Sequence, residues 1–161
     1  MIVVADSGPL HYLILLEQAE LLRRLYGEVV IPDVVAAELR VASAPRKVSQ
    51  WLSNPPSWLR VAGVSLEEIA SISETLDLGE RAAIALAEKM QAEILLIDET
   101  AGRAEARQRR LRVTGTLGVL RAGADAGLVD VRDVLVRLEA TNFYVDEALL
   151  KSIFGRWLED R

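Results

Sequence analysis

Two four-residue apolar runs constrain this chain more than anything else in it. Ile2-Val3-Val4-Ala5 and Ile94-Leu95-Leu96-Ile97 are too short for a buried helix and too evenly apolar for a half-exposed strand. Each therefore reads as a strand covered on both faces. Each also ends directly on an aspartate, Asp6 and Asp98, and a helix start follows. A third such run is Val29-Val30-Ile31, and weaker strand signals lie at Trp58 to Val64 and around Arg112 to Thr114. The segments between are helical in pattern: Leu10 to Leu16, Glu17 to Tyr26, Pro32 to about Val41, Ala44 to Leu52, Ser65 to Thr75, Asp77 to about Gln91, Thr100 to Arg110 and Thr116 to about Ala126. Strands alternating with helices predict a three-layer α/β/α domain around a central parallel sheet. Beyond Asp130, Val134, Leu135, Leu138, Phe143, Leu149, Ile153 and Trp157 repeat at helical spacing. That tail, with helices over Val131 to Ala140 and Val145 to Trp157, predicts a helical C-terminal extension packed on the domain, so residues 1–161 read as one unit and 131–161 as its extension.

At 161 residues and 51% apolar, the chain can bury a core of its own. It has no cysteine, which excludes disulfides, thiolate metal sites and a cysteine nucleophile. No apolar run approaches the roughly 18 residues of a membrane span, and Met1 to Asp6 lacks a signal peptide's basic start. A cytoplasmic protein is the expectation. The net charge of −5 argues against binding nucleic acid by coating phosphates with cations. It argues less against a nuclease whose acids gather around bound cations.

In a parallel sheet, sites form beyond the carboxyl ends of the strands. Asp6 and Asp98 at two such ends would share a crevice, unless each only caps the helix after it. Glu38 falls on one helical face with Val34, Val35 and Val41, and Glu80 with Ala83, Ile84 and Ala87. A carboxylate on an apolar stripe is costly unless paired, and a cation is one way to stabilise it. Glu80 has a competing role as reciprocal acid of a capping box with Asp77, and Glu38 has Arg40 nearby as an ion-pair partner. Glu99, next to Asp98, is either an acid of the site's periphery or a charge favouring a helix N-terminus. Four carboxylates without cysteine suit Mg²⁺ or Mn²⁺ rather than zinc. The one histidine, His11, gives little support to a histidine-centred mechanism.

These residues resemble those of the PIN-domain family. Val4-Ala5-Asp6-Ser7-Gly8-Pro9-Leu10 looks like the family's opening, and Ala37-Glu38-Leu39 looks like its second acidic segment. Leu78-Gly79-Glu80-Arg81-Ala82-Ala83-Ile84 and Leu95-Leu96-Ile97-Asp98-Glu99 look like its third and fourth. Val113-Thr114-Gly115-Thr116-Leu117-Gly118-Val119-Leu120 and Thr141-Asn142-Phe143-Tyr144 are similar to a prokaryotic branch related to VapC-type toxins. The resemblance implies a metal-dependent endoribonuclease using Mg²⁺ or Mn²⁺, with Asp6, Glu38, Glu80 and Asp98 as its catalytic and metal-site acids. It also implies frequent homodimers and, for toxin–antitoxin members, a small antitoxin partner. Two departures stand out: many relatives carry Asp where Glu80 stands, and some carry a further acid where this chain has Ala82.

Ser7, Thr114 and Thr116 offer hydroxyls to water or phosphate near such a site, with helix capping as their ordinary alternative. Arg103, Arg107, Arg109, Arg110 and Arg112 crowd the segment after Asp98 and are candidates for contacting RNA, unless they form a solvated face paired with Glu105. Two other classes fit less well. A non-catalytic PIN-like module binding protein or RNA would keep the acids without the chemistry. A phosphotransfer domain would need an Asp-x-Asp at the first strand or a lysine at a strand end, and Asp6-Ser7-Gly8 and the positions of Lys47, Lys89 and Lys151 supply neither.

Overall fold

A computed structural model describes residues 1–159. In chain order the elements are β1 (Val3–Ala5), α1 (Ser7–Leu15), α2 (Glu20–Tyr26), β2 (Val29–Pro32), α3 (Asp33–Leu39), α4 (Arg46–Ser53), β3 (Leu59–Ala62), α5 (Leu66–Ala70), α6 (Leu78–Met90), β4 (Ile94–Leu96), α7 (Thr100–Gln108), β5 (Val113–Thr114), α8 (Thr116–Asp125), α9 (Val131–Glu139) and α10 (Glu147–Leu158). The five strands form one parallel sheet in the order β3-β2-β1-β4-β5.

Period-two alternation splits each strand between two cores. Val3, Ala5, Val29, Ile31 and Leu96 face one side, packed with α1 to α4 and the C-terminal helices. Val4, Val30, Leu95 and Ile97 face the other, packed with α5 to α7. This is the three-layer architecture expected. The tail joins the first core, where Val134 and Phe154 are fully buried. The final two positions of the expected extension, 160–161, lie outside the described residues.

The register decides where the site falls. Winding runs outward from β1 to β2 and β3, then returns to place β4 on the other side of β1. Val3 lies beside Ile94 and Ala5 beside Leu96, and the Asp6 N–H bonds the Leu96 carbonyl at 2.8 Å. The carboxyl ends of β1 and β4 are thus neighbours at the point where the winding reverses, the usual place for a crevice in such sheets.

Several element ends differ from the sequence expectation. The helix expected from Glu17 begins at Glu20, because Glu17 sits at φ 58°, a left-handed conformation that interrupts a right-handed helix. The helix expected over Ser65 to Thr75 ends at Ala70. There the Ser71 hydroxyl donates back to the Glu68 carbonyl, and Ser73 and Thr75 bond each other, so side chains compete with the helical backbone. Val41 falls outside α3 and is exposed, so it does not continue the inward stripe of Glu38.

Candidate active site

Asp6 leaves β1 as the N-cap residue of α1, yet its side chain makes no capping bond. It is 4% exposed, and its Oδ1 is buried without a hydrogen-bond partner. Burial pushes its pKa from 3.8 up to about 7, the Ser7 N–H pulls it down, and the carboxylates of Asp77, Glu38 and Glu80 push it further up. The capping alternative for Asp6 therefore does not hold.

Glu80 lies in the first turn of α6, 7% exposed. Its N–H bonds Asp77 Oδ1 at 2.8 Å, so Asp77 caps the helix. The reciprocal half of a capping box is absent from this helix, although the α5 start has both halves. The Glu80 carboxylate is thus left for the crevice, its pKa raised to about 7 by burial and by Asp77 and Glu99.

Glu38 comes from α3 and rests on Gly79. A Cβ there would stand 2.9 Å from the Glu38 Cδ and overlap the carboxylate. Glu38 accepts from the Ser7 hydroxyl and the Gly79 N–H, while burial and the Asp77 charge raise its pKa. Arg40 is turned instead to the Leu52 carbonyl, at 3.5 Å. Ser7 is the first residue of α1 rather than its cap.

Asp98 is held differently. Its Oδ1 accepts the Thr116 N–H and its Oδ2 the Thr116 hydroxyl, both at 2.7 Å. Thr116, fully buried, opens α8 after the N-cap Gly115 and makes no cap bond. The expected capping role of Thr116 is replaced by this clamp. Burial raises the Asp98 pKa, while Thr116 and Arg103 oppose the rise.

Asp6, Asp77, Glu80, Asp98 and Glu99 line a cavity of about 510 Å³ together with Ser7, Gly8 and Tyr12. The family model DUF3368, a PIN domain, matches residues 2–159. The chain belongs to the PIN-domain family. No individual curated protein matches it. PIN domains are in general nucleases that work with divalent metal ions. Among the described residues no three acidic or histidine side chains stand close enough together to hold one ion as placed. The donor chemistry nevertheless fits a hard cation: carboxylate oxygens only, mutually repelling, one of them buried without a partner.

Other residues of this PIN domain also border the site. Asp77 was legible in the sequence only as a cap, yet its charge is felt by three of the four acids. Tyr12, Asn142, Phe143 and Tyr144 close one side of the cavity and had no assigned role, although Thr141 to Tyr144 belongs to the stretch resembling relatives. Glu99 is exposed at the rim. Thr114 lines an adjoining cavity with its methyl group against Gly118.

The arginines after Asp98 divide. Arg103 is half-buried beside Asp98 and gives Nη1 to the Ile97 carbonyl at 3.2 Å. Arg109 is committed elsewhere, to Glu105 and Glu88 at 2.9 Å each and to the Ser71 carbonyl. For Arg109 the paired alternative is therefore the observed one. Arg107, Arg110 and Arg112 are exposed.

Proposed function

We propose that this PIN domain is a Mg²⁺- or Mn²⁺-dependent endoribonuclease whose site is the crevice between the ends of β1 and β4. The observation that carries the reading is Asp6: a buried carboxylate with one orphaned oxygen, surrounded by other carboxylates at the sheet's reversal point. A buried anion among anions is stable only when protonated or when a cation is shared. Asp6 and Asp98 are the residues that would hold the ion, with Glu38 and Glu80 completing the set directly or through water. When bound, a divalent cation stabilises charge on phosphoryl oxygens and lowers the pKa of water.

The chain's own residues set up the rest. Thr116 fixes the orientation of Asp98. Ser7 and Gly79 fix that of Glu38. Asp77 holds the start of α6 and adds negative charge that favours any positive charge in the crevice, a proton in the metal-free chain and a cation when one is present. A VapC-type toxin role, a small antitoxin partner and a homodimer complete the proposal. Their support is the sequence resemblance. No helix among the described residues is long and apolar enough to cross a membrane.

The test is Mg²⁺ and Mn²⁺ titration of wild type and Asp6→Asn, with cleavage of a structured RNA followed in parallel. Metal-dependent cleavage lost in the variant is the expected result. Metal binding with no cleavage of any RNA would favour a non-catalytic binding module, and no metal binding would remove the site.

A further inference from the structure

A second cavity, of about 540 Å³, lies across Asp98 from the acid crevice. Its lining differs in kind. Arg103 and Thr100 of α7 supply a cation and a hydroxyl, and Phe143 and Tyr144 supply an aromatic wall. Among the described residues Asp98 is the one acid in that lining, and both of its oxygens are already engaged by Thr116. Arg103 is seated by a close approach to Gly115, where a Cβ would stand 2.8 Å from Nη1, and by its bond to the Ile97 carbonyl.

Tyr144 is 89% exposed, the most exposed of the large apolar and aromatic side chains. The residues before it are pinned. The Tyr12 hydroxyl donates to Asn142 at 2.7 Å, the Phe143 ring packs edge-on against Tyr12 at 4.9 Å, and the Phe143 N–H bonds the Thr141 hydroxyl at 3.2 Å. Tyr144 lies in the wall of both cavities. The chain thus presents an unburied ring on an anchored segment, in the wall of a cavity that a cation also lines, at the rim of the candidate active site. A π-face next to a positive charge matches an unpaired nucleotide, whose base stacks while its phosphate meets the cation. It does not match a duplex, whose bases are already stacked on one another.

We infer that this second cavity is a nucleotide subsite: one unpaired RNA residue, flanking the phosphate in the acid crevice, stacks its base on Tyr144 and sets its phosphate against Arg103. The inference rests on the nuclease reading for the identity of the ligand.

The experiment is fluorescence anisotropy of a fluorescein-labelled single-stranded RNA decamer and of its duplex, with Ca²⁺ and again with EDTA. Tyr144→Ala should weaken single-strand binding about 10-fold and leave duplex binding within about twofold, and Tyr144→Trp should restore wild-type affinity. Arg103→Gln should reduce the log–log salt slope on the single strand by about 0.7, the value for one phosphate contact. The subsite is overturned if wild type does not bind the single strand. It is also overturned if Tyr144→Ala binds it unchanged or weakens both RNAs equally, if Tyr144→Trp fails to restore binding, or if the Arg103→Gln slope is unaltered. A Tyr144→Ala effect confined to the oligomeric state on a sizing column would assign the ring to a protein interface and likewise overturn it. The nuclease reading is judged separately, by cleavage in Asp6→Asn, a substitution outside this cavity.

Discussion

The ends of β1 and β4 begin as near twins. Each is a short apolar strand in the middle of the sheet, ending on an aspartate before a helix. Their carboxylates end up in opposite conditions. Asp98 has both oxygens bonded by Thr116 and a guanidinium nearby, whereas Asp6 has an orphaned oxygen and three carboxylates around it. The difference teaches that a strand-end acid is not a site by position alone. One of the pair is a carboxylate held and satisfied by its neighbours, and the other is a buried acid with an oxygen left unsatisfied.

The largest effect should come from removing that charge. Asp6→Asn keeps the shape of the side chain and eliminates the anion, so RNA cleavage should fall by at least about 10³-fold while the circular-dichroism spectrum stays unchanged. Asp98→Asn should lose activity too, but without the gain in metal-free stability that Asp6→Asn brings. If the two variants respond alike in stability, the contrast between the two ends is wrong.

The pH dependence sharpens the same point. In the folded chain Asp6 titrates at about 7, against an ordinary 3.8. Between those values the native state holds a proton that the unfolded chain has released, so stability falls as pH rises. The full contribution is present below about pH 4 and is lost as pH climbs through 7, an effect on the order of 2–4 kcal/mol for the metal-free protein. Urea melts at pH 5 and pH 8 in EDTA should show higher stability at pH 5, and Asp6→Asn should flatten part of the difference, with Glu80, which also titrates at about 7, supplying the remainder. Added Mg²⁺ should raise stability chiefly at pH 8, where the carboxylates are free to bind it. A slope left unchanged by Asp6→Asn would put the titration elsewhere.

Glu38 extends the comparison to an acid held by shape. Gly79→Ala places a methyl group in the space of the Glu38 carboxylate. Gly79 stands in the first turn of α6 and the added methyl group meets only the far end of a flexible side chain, so the fold should hold. Metal affinity should still drop about 10- to 100-fold, the usual cost of disturbing a ligand's support. Isothermal titration with Mn²⁺ beside a thermal melt separates the two: a stable protein with intact metal affinity would show that Glu38 is not part of the site.

Much of this was legible in the sequence, and the reasons are local. Period and composition are enough to identify Val3 to Ala5 and Ile94 to Leu96 as buried strands, and a parallel sheet then brings their ends together. Glu80 was ambiguous because Asp77 and Glu80 have the spacing of a capping box; only the position of the carboxylate excludes the reciprocal bond. The roles of Asp77, Tyr12 and Asn142 were not legible. Asp77 does cap its helix, and that local role masks its charge on the crevice. Tyr12 and Asn142 meet across 130 residues, a contact that no local pattern encodes. Among the arginines the sequence offered five alike, and tertiary partners distinguish Arg109, bound to Glu88 and Glu105, from Arg103 beside the site.

The smallest effect should come from Thr116, the residue that makes Asp98 unlike Asp6. Thr116→Val preserves the volume of a fully buried side chain and deletes the hydroxyl bonded to Asp98 Oδ2, leaving the backbone N–H on Oδ1. One oxygen of Asp98 then approaches the condition of Asp6, and its pKa should rise. Removing one hydrogen bond to a charged group costs about 1–3 kcal/mol of stability in the metal-free protein. Cleavage should fall only about 10-fold, because the carboxylate remains and only its orientation loosens. The distinguishing readout is the acidic limb of the pH–rate profile, which should move to higher pH in Thr116→Val as Asp98 becomes harder to ionise. A uniform drop in rate with an unmoved acidic limb would mean that Thr116 supports the packing of α8 and not the charge of Asp98.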